Sequence, residues 1–208
     1  KEKEVVVLAL KFKKIKIQVV KAEDLSKDAF KAGVKLGEEL LKNDGTAPEF
    51  LLIFPCGLGI AFDVFLKGIK QKLGEETNIL GGGTGDSMAL KSGGRQFYNN
   101  QVLEDSVVGV GFWDGFKMAI QAEHGWEPLG LPMKITKAEG IFVSEIDNKP
   151  ASQIFERYFT KEEIMDPKFF SPQGEGILYP LGIISEEPKR TIVRQVVGVT
   201  EKGELICA

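Results

Sequence analysis

The chain has one histidine, His124, and two cysteines, Cys56 and Cys207. That scarcity excludes a zinc site of Cys and His ligands, a two-histidine metal centre and a disulfide framework, each of which needs more donors at closer spacing. A Cys–His nucleophile would have to use Cys56 and His124, and nothing in their spacing brings them together. No Gly-x-Ser-x-Gly elbow is present either. No apolar run approaches the roughly 20 residues of a membrane-spanning helix, and no signal peptide is visible. Charge of neither sign is in excess: Lys+Arg 27 against Asp+Glu 30 leaves −3, with no global pull toward nucleic acid or an anionic membrane. The basic run Lys11–Ile17 alternates with apolar residues and reads as the solvated face of an edge strand. The chain begins at Lys1 without a methionine and stops at Leu205–Ala208 within an apparent strand, so a piece of a longer protein is expected. Two isolated cysteines suit a reducing cytoplasm.

What is present is an ordinary globular balance, 43% hydrophobic and 27% charged, over a length able to bury a proper core. Val5–Leu10 and Ile15–Val20 read as strands. Asp24, Leu25 and Ser26 offer a helix start with Asp28 in the first turn, and Phe30, Gly33, Val34, Gly37, Leu40 and Leu41 share one helical face before Gly45. Phe50–Phe54 contains no polar residue, as expected of a central parallel strand buried on both faces. Phe62, Phe65, Leu66, Ile69 and Leu73 mark a second helix, stopped by Gly74. Ile79-Leu80 then runs into glycines, completing β-α-β, which places the Gly57–Gly59 and Gly81–Gly85 loops on one sheet edge.

The pattern next turns antiparallel. Arg95–Leu103 reads as a hairpin around Asn99-Asn100, and Ser106–Trp113 as a strand. Phe116–Gln121, Pro132–Lys137 and Ile141–Ile146 look extended. Pro150 opens a helix carrying Ile154, Phe155, Tyr158 and Phe159. Lys161–Gly176 is polar and aperiodic, as expected of a boundary or loop, and Ile192–Val199 pairs with Glu204–Ile206. The expected class is α/β (α+β): a layered domain with a mixed sheet, whose β-α-β start is followed by an antiparallel meander.

Two glycine-rich segments stand out as candidate binding loops. Gly57-Leu58-Gly59 follows a strand and opens a helix, but Phe62 replaces the third glycine and no acidic residue ends the next strand, which argues against dinucleotide binding. The helix N-terminus still suits a carboxylate or phosphate. Gly81-Gly82-Gly83-Thr84-Gly85-Asp86 offers exposed amides and a carboxylate, two opposite poles suited to a zwitterion. His124-Gly125-Trp126 joins an imidazole to a large aromatic, a pairing able to line a pocket or to ligate haem iron.

Several of these segments together resemble the FIST sensory domain. Gly81–Asp86 is similar to its Gly-Gly-x-x-Gly-Asp segment, and Phe97–Ser106 to the hairpin after it. The closest likeness is His124-Gly125-Trp126-Glu127-Pro128-Leu129-Gly130 with Ile135–Gly140, continued by Glu145–Ala151. Tyr179–Gly182 and Arg194–Val197 are similar to the start of the family's C-terminal half. Gly83-Thr84 stands where small apolar residues are common in the family.

The resemblance implies a ligand-sensing N-terminal-like domain over residues 1–150 and the start of a C-terminal-like domain over 151–208. It further implies a prokaryotic, non-catalytic, intracellular module that takes a small ligand, amino acids among the candidates, and passes a signal to an output domain or partner protein. Ligand-binding residues are then expected at Gly57, Gly59, Gly81, Gly82, Gly83, Thr84, Gly85, Asp86, His124 and Trp126, with no metal and no cofactor. The alternatives are a haem-binding gas sensor using His124 and a hydrolase dependent on Cys56.

Overall fold

Which residues form the helices follows from where small side chains let them meet. In the computed structural model, which describes residues 6–56, 60–85, 94–185 and 190–207, the chain divides into compact units at residues 1–121 and 122–208. The class is α+β, with a mixed sheet and further antiparallel sheets.

The first unit holds β1 (Lys16–Glu23), α1 (Ala29–Leu41), β2 (Phe50–Pro55), α2 (Phe62–Leu73), β3 (Asn78–Gly81), β4 (Gln96–Tyr98), β5 (Gln101–Leu103) and β6 (Ser106–Trp113). Its four-stranded sheet has the order β1-β6-β2-β3, with β2 and β3 parallel and β6 antiparallel to both β1 and β2. Leu36 and Leu40 of α1 and Phe65 and Ile69 of α2 pack with Val20, Leu51, Ile53 and Val107 in one core. The two helices approach closely because each carries a glycine at the crossing. A Cβ on Gly33 would stand 2.2 Å from the Phe65 carbonyl oxygen, and one on Gly68 2.2 Å from that of Phe30.

Three expectations need correction here. Asp28, not residues 24–26, caps α1, its side chain accepting from the Lys31 N–H at 2.9 Å. Val6–Leu10 pairs with no strand among the described residues, and Val6, Val7, Leu8 and Leu10 are exposed. β2 is central but buried on one face only. Leu51 and Ile53 meet the helices, whereas Phe54 on the other face is 42% exposed, because α1 and α2 both cover the same side. On that open side Phe112 gathers Phe12, Phe50 and Phe116 at ring distances of 6.0, 5.5 and 6.3 Å.

The second unit holds β7 (Ile135–Glu139), β8 (Phe142–Ile146), β9 (Lys149–Pro150), α3 (Lys161–Met165), β10 (Leu181–Ser185), β11 (Arg190–Arg194), β12 (Val196–Val199) and β13 (Leu205–Cys207). One sheet runs β12-β13-β8-β7 with β9 beside β8, and β10 pairs with β11. The turn at Asp147-Asn148 uses two positive φ angles, 50° and 60°, which suit a tight hairpin. The helix expected after Pro150 is a 3-10 helix over Ala151–Arg157. The stretch expected as a loop over 161–176 contains α3, closed by a Thr160–Glu163 capping box, and it buries Phe169 and Phe170 against Phe155. Residues 116–129 lie in neither helix nor strand, so the strand expected at Phe116–Gln121 does not form, and β7 begins only at Ile135.

Candidate functional site

Parallel pairing decides where the glycine cluster falls. β2 and β3 align Phe50 with Asn78 and Ile53 with Gly81, so both strands end at the same sheet edge. The ladder continues one step further as a parallel bridge between Cys56 and Thr84. Ligand crevices in open α/β sheets lie outside such carboxyl ends. α2 starts beside them, with no side chain capping it at Ala61 and Asp63 in its first turn. Gly57 and Gly59, on the connection between β2 and α2, lie outside the described residues, as does Asp86.

Within the cluster the glycines serve different ends. A Cβ on Gly81 would lie 2.0 Å from the Ile53 carbonyl oxygen, so only glycine fits the parallel pairing there. Gly82 and Gly85 have nothing within 4 Å of a Cβ position, and Gly81, Gly82, Gly83 and Gly85 are exposed. Their backbone is therefore open to approach from solvent. None of Gly81, Gly82 and Gly85 has the positive φ that a tight turn would demand.

Thr84 anchors this open loop. Its N–H donates to the Pro55 carbonyl at 2.9 Å, while the Gly82 N–H donates to Ile53 at 3.3 Å. Its hydroxyl donates to the Pro55 carbonyl at 3.4 Å and accepts from Gln96 Nε2 at 2.8 Å. Gln96 Oε1 in turn accepts from the Ser106 hydroxyl at 2.8 Å, and the Ser106 carbonyl receives the Cys56 N–H at 2.8 Å. Gln96 is 3% and Ser106 0% exposed. A buried polar chain of this kind is costly unless every member is satisfied, and here each bond has a defined direction. Gly94, at φ +85°, lets the chain pass over Thr84, where a Cβ would meet Thr84 Oγ1 at 2.6 Å.

Gln96, Ser106 and Gly94 were missed by sequence reasoning. The single polar residue opening the apolar run Ser106–Trp113 was the one usable signal. Cys56 is buried at 4% beside this chain, and neither cysteine forms a disulfide.

His124 and Trp126 belong to the second unit, so neither unit by itself joins them to the glycine loop. Both are exposed, in the stretch without regular structure. The Trp126 N–H donates to His124 Nδ1 at 3.3 Å. Among the described residues no group of three His, Cys, Asp or Glu side chains is placed to hold a metal ion, and no helix is long and apolar enough to cross a membrane.

No curated protein and no solved structure matches the chain. The model of the FIST N domain matches residues 1–149, and the chain belongs to the FIST family of small-ligand sensory domains.

Proposed function

We propose that this protein is a cytoplasmic sensor whose ligand is a small zwitterion of the amino-acid class, taken up where β2 and β3 end. The observation that carries the reading is the exposed Gly81–Gly85 backbone held rigidly at the sheet edge by Thr84. The Gly82 and Thr84 N–H groups are spent on β2, so the donors assigned to a carboxylate are the alternate amides of Gly83 and Gly85, and the uncapped start of α2 adds the positive end of a helix dipole. Asp86, next in the chain, is assigned the opposite pole as the partner of the ligand's ammonium group. The buried Ser106–Gln96 pair preorganises the loop, so that little ordering is left for the ligand to induce.

A sensory role fits the family, and the buried setting of Cys56 offers no accessible nucleophile that would favour a hydrolase instead. The output domain or partner protein that receives the signal is part of this proposal. Thermal-shift screening tests it with three ligand sets: α-amino acids, the matching amines lacking the carboxylate, and the matching acids lacking the amine. Only the first set should raise the melting temperature. An equal response to the amines alone would remove the role given to the amides.

A further inference from the structure

The free edge of β1 is a second surface, independent of the ligand site. β1 is eight residues long, borders its sheet and among the described residues pairs only with β6. Along its outer side runs a groove of about 310 Å³ lined by Gln18, Val19, Lys21, Lys35, Glu39 and Tyr98, among others. A long edge strand presents a row of backbone donors and acceptors to another strand. The Tyr98 hydroxyl reaches the Val19 carbonyl oxygen at 3.5 Å, so Val19 directs its peptide groups outward; among the described residues this long contact, with Gln101 accepting from Lys21 at 2.9 Å beside it, is what guards them. We propose that β1 pairs antiparallel with β1 of a second copy of this chain, with Val19 on the two-fold axis and the two sheets joined into one.

The position of α1 selects both the partner and the register. Gln18 donates to the Glu39 carbonyl at 3.0 Å, Asn43 donates to the Gln18 side chain at 3.0 Å, and Lys16 pairs with Asp44. The end of α1 therefore lies beside the start of β1, and the helix runs antiparallel to the strand. Lys35 precedes Glu39 by four residues, about 6 Å along a helix, which matches two residues, about 6.6 Å, along a strand. Glu39 is thus level with Gln18, Lys35 is level with Val20, and Val19 lies midway.

A two-fold axis through Val19, perpendicular to the sheet, sets each Lys35 opposite the partner subunit's Glu39. The same axis pairs Ile17 with the partner subunit's Lys21 and keeps both copies of α1 on one face. Lys35 makes no ion pair among the described residues, whereas Glu39 holds Lys42 of its own chain at 2.5 Å, so in the dimer Lys35 shares that carboxylate with Lys42. Val19, 44% exposed, is covered by its own counterpart. Centring the axis on Lys21 instead would set Lys21 against Lys21, which like-charge repulsion opposes, and would carry the partner subunit's Glu39 about four residues past Lys35.

Sedimentation equilibrium of the 208-residue chain tests the surface. The wild type should dimerise. Lys35→Glu and Glu39→Lys should each weaken the dimer roughly tenfold or more by placing like charges across the axis. The double variant should restore it. Val19→Pro, which removes one outward N–H from an edge strand, should be monomeric with an unchanged far-UV circular dichroism spectrum. A chain that stays monomeric at every concentration, or a dimer indifferent to the single charge reversals, overturns the proposal.

Discussion

Replacing Gln96 by leucine should loosen the glycine loop and destabilise the first unit by about 1.5–4 kcal/mol. The side chain is 3% exposed and joins Ser106 to Thr84 through two bonds of 2.8 Å. Leucine is close in size, so the cavity contribution is small. What remains is the loss of partners. The Ser106 hydroxyl, wholly buried, is left without its acceptor, which costs about 1–3 kcal/mol. Thr84 is half-buried and keeps its bond to Pro55, so its share is smaller, about 0.5–1 kcal/mol.

Adding Ser106→Ala to Gln96→Leu removes the stranded donor and should recover about 1 kcal/mol, since apolar groups on both sides are cheaper than one orphaned hydroxyl. Urea unfolding followed by tryptophan fluorescence reads both values. Trp113 reports from the first unit, being 4% exposed with its Nε1 donating to the Thr46 carbonyl at 3.0 Å. A cost for Gln96→Leu below about 0.5 kcal/mol, or a double variant destabilised by the sum of its singles, would refute the reasoning.

Three other outcomes follow from named contacts. Gly33→Ala should cost about 1–3 kcal/mol or more and lower the melting temperature, because the Phe65 carbonyl 2.2 Å from the new Cβ is backbone and cannot step aside. The Lys16 ammonium, then the Thr46 hydroxyl and N–H, hold the Asp44 carboxyl well below the ordinary carboxylate range. Its contribution is therefore complete above the unfolded value near ~4 and is lost as pH falls below it. Asp44→Asn should flatten that part of the acid limb in denaturation midpoints, and added salt should shrink the difference because the pair is exposed. In a Cys207→Ser variant a thiol reagent should label Cys56 only on unfolding, and fast labelling of the native protein would reopen the hydrolase reading.

The legible parts of this fold are those whose signal is local. The apolar spacing of α1 and α2 could be read directly, as could the strand ending in Gly81, whereas Gly33 was expected to meet a sheet and instead meets Gly68 of α2. Local chemistry also announced the Asn99 turn, which adopts φ +52°. What a run of apolar residues does not state is whether a partner strand is available. Val6–Leu10 has the composition of a strand and pairs with none among the described residues. Nor does it state which layers cover it, and so β2 was expected to be buried on two faces although Phe54 is open.

Phe169 and Phe170 sat in an aperiodic stretch because their packing follows turns rather than a repeat. The anchoring of the candidate site was illegible for a related reason. Gln96, Ser106 and Thr84 meet only after β2, β3 and β6 have paired, and beyond the polar start of the apolar run at Ser106 the sequence carries no local mark of that role.

The central claim is that the Gly81–Asp86 loop holds a zwitterion by its two poles. Isothermal titration of the best amino acid from the screen, against wild type and Asp86→Asn, tests it most directly. The account predicts saturable binding to the wild type and a loss of roughly tenfold or more in the variant, the weight of one charge-assisted contact. Identical affinity in the two proteins, or no heat from any amino acid, would contradict it.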